Sequence, residues 1–378
     1  MAVDRREIME FYKGRRVFVT GNTGFKGTWL SKILLMAGAE VTGYALEPPT
    51  YPSMFEYIGL DKEPEGLRQI YGDIRNYGKL MEAFDEADPE IVFHLAAQPI
   101  VRESYKDPRG TYEINVMGTV NICEAVRSHS SVNSFLNVTT DKVYKNNEWV
   151  WGYRETDMLD GFDPYSNSKS CSELVTHSYI NSFFGGNTEE SSVAVSTARA
   201  GNVIGGGDFA SDRIVPDCVR ACESRQPLLI RNPYSTRPYQ HVLEPLFAYL
   251  MIAKTQYEDV RKAGFYNVGP DECDCVSTGE IVDLFERYWN EGNVSEYSFS
   301  SKKAETDAVA PHEAGLLKLD TSLIKAVFGW KPVWHIDEAI EQTVVWSKHF
   351  LAGDDVSKLN KVTEDQIGLY LNSSERSC

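Results

Sequence analysis

Tyr165 and Lys169, four residues apart in PYSNSKS, are the side chains of this sequence best suited to moving a proton. In a helix, positions i and i+4 share one face. A lysine ammonium held there favours the phenolate and draws the tyrosine pKa below its ordinary value of about 10, giving a base at neutral pH. The chain holds 20 tyrosines, so a YxxxK spacing arises by chance roughly once, and the pair also reads as an exposed helix face with a snorkelling lysine. A second group, TTDKVY at 139–144, directly follows the apolar run SFLNV. Ligands of open parallel sheets sit beyond the carboxyl ends of the strands, so Thr139, Thr140, Asp141 and Lys142 would face such a crevice. The alternative is a strand-end turn whose Asp141 and Lys142 form an exposed ion pair worth under about 1 kcal/mol.

A third signal lies near the N-terminus. Residues 15–27, RRVFVTGNTGFKG, join an apolar run to glycines spaced at Gly21, Gly24 and Gly27, and TWLSKILLMAG follows at once. A strand, a tight glycine turn and a helix N-terminus bring backbone N–H groups and the helix dipole to one point, where a pyrophosphate would sit. The loop Gly21, Asn22, Thr23, Gly24, Phe25, Lys26 and Gly27 is therefore expected to hold a dinucleotide. Its spacing is GxxGxxG rather than the common GxGxxG, and a tight strand-to-helix turn of another α/β protein is the alternative.

These groups need a scaffold, and the first two hundred residues supply the rhythm of one. Apolar runs (VFVT, EVTGYA, LRQIYGD, EIVFHLA, SFLNVTT, SVAVSTARA) alternate with helical patterns near 27–37, 76–87, 110–128 and 165–184. The spacing is that of βαβ units, whose crossovers are right-handed, so an α/β, doubly wound, parallel Rossmann-type sheet is predicted. Beyond about residue 200 the pattern becomes irregular, with helices near 214–224, 243–255 and 277–290. The expected division is a dinucleotide-binding domain over 1–200 and a smaller C-terminal α/β substrate domain over 201–350. A strand near 239–270 returns to the main sheet, and 351–378 form a tail.

The chain has 378 residues, 42% hydrophobic and 25% charged, with a net charge of -17. That balance argues against nucleic acid or an anionic membrane as partner, since both need a basic surface. A small anionic ligand needs only a local basic patch, and RNPYSTRP, with Arg231 and Arg237, offers one. The first sixteen residues mix both charge signs without an apolar core, and the run at ILLMAGA is too short to span a bilayer, so a cytoplasmic protein is expected. The seven cysteines fit no disulfide framework; Cys273 and Cys275 form a CxC pair without a second pair, so free thiols and no metal are expected.

Taken together, these motifs resemble the extended short-chain dehydrogenase/reductase family, whose members act on nucleotide sugars. The matching residues are Gly21, Gly24 and Gly27, Asp73 and Ile74 in GDI, HLAAQ with Leu95, Ala96, Ala97 and Gln98, then Asn115, Thr139, and Tyr165 with Lys169. GNTGFKGTWL, HLAAQPIVRESYKDP, TTDKVY, RAGNVIGGGDFASDRIVPD and RPYQHVLEPL extend the resemblance over about residues 10–350. It implies NAD as cofactor, CDP-glucose as substrate, and a homodimer through a helix bundle. It further implies a 4,6-dehydration in which oxidation at C4 makes the C5 proton acidic, the C6 hydroxyl departs, and hydride returns to C6. Thr139, Asp141, Lys142, Tyr165 and Lys169 are then the catalytic set, Tyr165 as base and Asp141 as acid toward the C6 hydroxyl. Ser104, Asn202, Arg213, Arg231 and Arg237 are expected at the substrate. Related dTDP-glucose dehydratases carry a glutamate as C5 base where this chain has Lys142, which leaves that base open. At the end of EVTGYA, where many NAD enzymes place an acid for the ribose, stands Ala45, with Glu47 two residues on; no arginine follows to receive the 2'-phosphate of NADP. A 4-epimerase of the same fold, a dehydratase of another nucleotide-glucose, and a non-catalytic NAD-binding protein are the other readings. Asp141 separates the first from dehydration.

Overall fold

The computed structural model describes residues 4–189, 191–230, 232–291, 299–303 and 315–374. Its sheet has seven strands: β1 (Arg16–Thr20), β2 (Glu40–Ala45), β3 (Leu67–Tyr71), β4 (Ile91–His94), β5 (Ser134–Thr140), β6 (Ala194–Ala200) and β7 (Phe265–Val268). They lie in the order β7-β6-β5-β4-β1-β2-β3, every neighbouring pair parallel. β4, β5 and β6 are buried along their whole length, as strands covered on both faces must be. The strand order reverses between β1 and β4, and that switch point opens the crevice in which open α/β sheets bind ligands.

Nine longer helices are used below: α1 (Phe25–Met36), α2 (Tyr77–Ala87), α3 (Gly118–Ser128), α4 (Pro164–Phe183), α5 (Ile214–Ser224), α6 (Leu243–Glu258), α7 (Thr278–Asn290), α8 (Ile336–Leu351) and α9 (Val356–Asn372). One face of the sheet packs on α1 and α6 through Trp29, Leu30, Leu34, Leu246 and Leu250. The opposite face takes Leu80 and Phe84 of α2, Ile122 and Val126 of α3 and Ile180 of α4. A separate apolar cluster joins α5, α7 and α8 through Cys218, Ile281, Phe285 and Ile340.

Two local features set the site. Asp163 caps α4 by accepting from the Ser166 N–H, and Pro164 occupies the first turn, a position where its missing N–H costs nothing. Tyr165 thereby stands at the mouth of the helix. The helical pattern expected over 110–128 is broken by a π-turn at Glu113–Met117. Such insertions mark functional sites, and this one carries Asn115.

Cys123, Cys171, Cys218, Cys222 and Cys275 are free, whereas Cys273 is disulfide-bonded, which corrects the expectation of free thiols throughout; its scattered spacing carries no sign of this. Among the described residues no helix is long and apolar enough to cross a membrane.

Candidate active site

The carboxyl end of β5 and the first turn of α4 meet over the crevice. The Thr140 hydroxyl stands beside the Tyr165 phenol and donates to Asp141 Oδ1 at 3.0 Å. Lys142 Nζ donates to the same Oδ1 at 3.1 Å and to Asn202 Oδ1 at 3.3 Å. Asp141 is fully buried, and its other oxygen, Oδ2, has no hydrogen-bond partner. A buried carboxyl oxygen without a donor is costly. Here it is one oxygen of an acid placed beside a phenol and an amine.

The hydroxyl beside Tyr165 is therefore that of Thr140, which corrects the placing of Thr139 at the reaction centre. Successive strand side chains point to opposite faces. Asn137 reaches Ser172 and Thr176 on α4, and Thr139, two residues on, donates to Glu173 of the same helix. Thr140 is left to face the crevice. Thr140→Val is expected to lower turnover by about 10- to 100-fold with the melting temperature nearly kept, whereas Thr139→Val leaves turnover within a few fold and costs about 1 kcal/mol of stability. Steady-state kinetics and thermal melts of both variants check the assignment, and the reverse ranking would refute it.

The electrostatics differ from the simple Tyr–Lys expectation. Burial pushes the Tyr165 phenol up to about 12, and Asp141 adds to the rise; the neighbouring Thr140 hydroxyl and the Arg213 guanidinium pull it back. Lys169 is buried beneath the strand end, where its Nζ donates to the Val138 carbonyl at 2.9 Å. Burial draws Lys169 itself down to about 8, against the raising charge of Glu173. Lys26 falls to about 7, through burial first and then the positive charges of Arg213 and Lys169, with Asp141 opposing. Lys26, Lys142, Lys169 and Arg213 thus surround one buried acid and one tyrosine.

The glycine loop makes a cradle at the N-terminus of α1. Gly21 has φ +72°, and a Cβ there would lie 2.8 Å from the Ala96 amide; a Cβ on Gly27 would lie 2.2 Å from the Gly21 carbonyl. Both must be glycine. Gly24, the N-cap of α1, would meet only the Gly21 carbonyl, at 3.4 Å, so its outer side lies open beside the first-turn N–H groups of Phe25, Lys26 and Gly27. Those donors have no partner within the helix and suit a pyrophosphate. Asn22 and Thr23 brace the loop from below, Asn22 donating to Gln69 Oε1 at 2.5 Å and Thr23 to the Leu46 carbonyl at 2.9 Å.

The rest of the expected dinucleotide lining surrounds this cradle. The Leu95 and Ala96 amides each donate to Thr20 Oγ1 at 3.1 Å, and Ala97 follows, half-buried. Asn115 accepts from the Gln98 N–H at 2.8 Å and donates to the Gln98 carbonyl and to Ser168 Oγ. The π-turn residue thus ties the β4 loop to the helix of Lys169. Arg75 donates to both Asp73 oxygens and holds that carboxyl below its usual range. Ile74 lies against Gly118, where a Cβ would come within 2.8 Å of it. Ala45 ends β2 buried, and Glu47 is exposed beyond it.

Of the residues expected at the substrate, Asn202 meets Lys142 as described. Arg213 pairs with Asp208 at 3.0 Å within electrostatic reach of Tyr165. Arg237 is buried in the Thr236–Pro238 strand and donates to the carbonyls of Thr236 and Gly315. Ser104 is turned inward, its hydroxyl donated to the Val101 carbonyl at 2.7 Å. Arg231 lies outside the described residues. Asp208 and Glu173 are absent from the sequence expectations; Glu173, four residues beyond Lys169, carries a readable signal, an acid on the next turn of the same helix face.

The sheet, the cradle and the Tyr165–Lys169 helix define the extended short-chain dehydrogenase/reductase class. Residues 18–343 match the GDP-mannose 4,6 dehydratase family, and the chain belongs to it. It is 45% identical to a CDP-glucose 4,6-dehydratase of Salmonella typhimurium, over 97% of this chain and 99% of the relative. Among solved structures, dTDP-glucose 4,6-dehydratase of Bacillus anthracis in complex with NAD superposes with a TM-score of 0.70 at 19% identity, covering 88% of this chain and 96% of that one. A UDP-glucose 4-epimerase complex with NAD from Thermus thermophilus gives 0.71 at 24% identity, covering 87% and 98%.

Proposed function

We propose that this chain is an NAD-dependent lyase that converts CDP-D-glucose to CDP-4-keto-6-deoxy-D-glucose. The observation that carries this reading is Asp141, buried, with one oxygen unpartnered, and linked through Thr140 to Tyr165. A 4-epimerase needs the tyrosine but no acid at C6. The similarity to the Salmonella typhimurium enzyme supports the dehydratase reading and its nucleotide.

NAD fits the cradle on the open side of Gly24 and, when bound, supplies the hydride acceptor for C4 and the hydride source for C6. The chain's own groups move the protons. Tyr165 takes the proton of the C4 hydroxyl; the C5 proton, acidic once C4 is a ketone, leaves to a base in the crevice as the C6 hydroxyl departs with a proton from Asp141, and a proton returns to C5 when hydride reaches C6. Lys142 engages Oδ1 of Asp141 and leaves Oδ2, which has no partner, as the oxygen to carry the proton. Asn202 orients that sugar beside Lys142. Arg213 and Arg237 offer guanidinium forks to the diphosphate. A homodimer through α3 and α4 would cover Leu174 and Phe183, which stay exposed on α4; a monomer in sedimentation velocity would refute that part.

Cytosine presents a 4-amino donor where uracil and thymine present an acceptor, and a buried mismatch costs about 1 to 3 kcal/mol. With NAD present, CDP-glucose is expected to lose one water, read by product mass. Its kcat/KM should exceed those of UDP-glucose and dTDP-glucose by at least about tenfold. Faster turnover of dTDP-glucose would keep the chemistry and overturn the nucleotide. A C4 epimer of unchanged mass would overturn the dehydration.

A further inference from the structure

Beneath the catalytic cluster lies an anion to which the mechanism gives no role. Glu173 sits one helical turn beyond Lys169 on α4, and both side chains are buried. Its carboxylate accepts from Thr139 Oγ1, from Thr197 Oγ1 at 2.7 Å and from Arg199 Nη2 at 2.9 Å. Of these neighbours the Arg199 guanidinium can only donate, and it forms an ion pair with the carboxylate. Arg199 in turn donates to the Tyr144 hydroxyl at 2.7 Å and to the Glu155 carbonyl at 2.9 Å. Glu173 is thereby fixed between β5, β6 and α4.

Lys169 has the opposite difficulty. Its Nζ donates to one neutral carbonyl, that of Val138, and the other ionisable groups around it do not help it stay charged. Lys26, from the N-terminus of α1, is a like charge. His94, at the end of β4, is buried and driven far down, in part by Lys169 itself. Arg199, from β6, stands behind Glu173. Asp141 lies toward the crevice, where Lys142 already pairs with it. Glu173, buried one turn along the same helix face, is the anion nearest in the chain to Lys169, and its charge opposes the lowering by burial.

We infer that Glu173 is a positioning residue for this reaction: a buried carboxylate, anchored by Arg199 and two threonines, that keeps the Lys169 side chain an ammonium and so holds the cation of the Tyr165–Lys169 pair in its working form. The role in turnover rests on the proposed function; the charge relation between Glu173 and Lys169 does not.

The test separates the two. Protein labelled with 15N at lysine Nζ, with the Lys169 signal assigned from Lys169→Arg, reports the Lys169 titration without substrate. Glu173→Gln should lower its midpoint by about one unit or more, a tenfold change in the protonation equilibrium. The alkaline limb of kcat/KM should move down by the same amount, with KM for the nucleotide sugar at neutral pH within about threefold, because the acid does not touch the substrate. Glu173→Asp, which keeps the charge, should restore most of both. Glu173→Gln leaves Arg199 buried without its partner, a strongly destabilising state, so Glu173→Gln with Arg199→Met is made beside it, and Arg199→Met alone controls for packing. The double variant should lower the Lys169 midpoint and the single Arg199 variant should not. A midpoint equal to that of the parent in the glutamine variants, or an aspartate variant displaced as far as the glutamine one, overturns the inference. A displaced midpoint in a protein that turns over no nucleotide sugar would instead overturn the functional reading and leave the charge relation standing.

Discussion

Tyr165→Phe is expected to remove nearly all turnover, by about 100- to 10,000-fold, while the fold and nucleotide-sugar binding survive. The substitution deletes one oxygen from a half-buried ring at the start of α4, and the neighbouring Thr140 keeps its bonds with Asp141 and the Lys142 amide. Melting temperature and the dissociation constant for CDP-glucose should therefore change little. The pH dependence has a definite sign. Burial holds the phenol at about 12 and Lys169 at about 8 in the free protein. The phenolate fraction rises with pH through the neutral range, while the ammonium is lost above about 8. Parent kcat/KM should climb with pH and then level off or fall near pH 8, since it reports the free enzyme's groups. Near-parental turnover in Tyr165→Phe, or a flat parent profile, would take Tyr165 out of the proton transfer.

The scaffold was legible because hydrophobic period is a local property. The runs VFVT, EVTGYA, EIVFHLA, SFLNVTT and SVAVSTARA each carry a strand of the sheet, and the stretch near 239–270 contains β7, which pairs with β6. What the residues could not disclose was phase and burial. Thr139 and Thr140 are chemically identical neighbours, and only the packing of Asn137 against α4 shows which hydroxyl turns toward Glu173 and which toward the crevice. The depth of Tyr165 is hidden for a related reason. The i, i+4 spacing is real, but burial, which spacing does not show, is the largest influence on the phenol. Ser104 sits in a motif the resemblance picks out, and its hydroxyl is spent within its own helix. The π-turn at Asn115 has no composition signal at all, since it arises from the fit between the β4 loop, α3 and α4.

Asp141→Asn is expected to separate the two halves of the reaction. Asparagine keeps the size of the side chain and an oxygen able to accept from Thr140 and Lys142, so the Tyr165–Thr140 arrangement at C4 should persist. What is lost is a group able to hold and release a proton at the buried oxygen that has no partner in the native chain. Oxidation at C4 should then proceed and departure of the C6 hydroxyl stall, with dehydrated product falling by about 100-fold or more. Mixed in a single turnover with CDP-glucose and NAD, the variant should show the absorbance of reduced nicotinamide rise and stay, where the parent shows at most a transient. Equal loss of both steps would make Asp141 a structural partner of Lys142 rather than the acid. A variant that oxidises and eliminates like the parent would place the C6 proton donor elsewhere, and Lys142, bonded to both Asp141 and Asn202, would be the next group to replace.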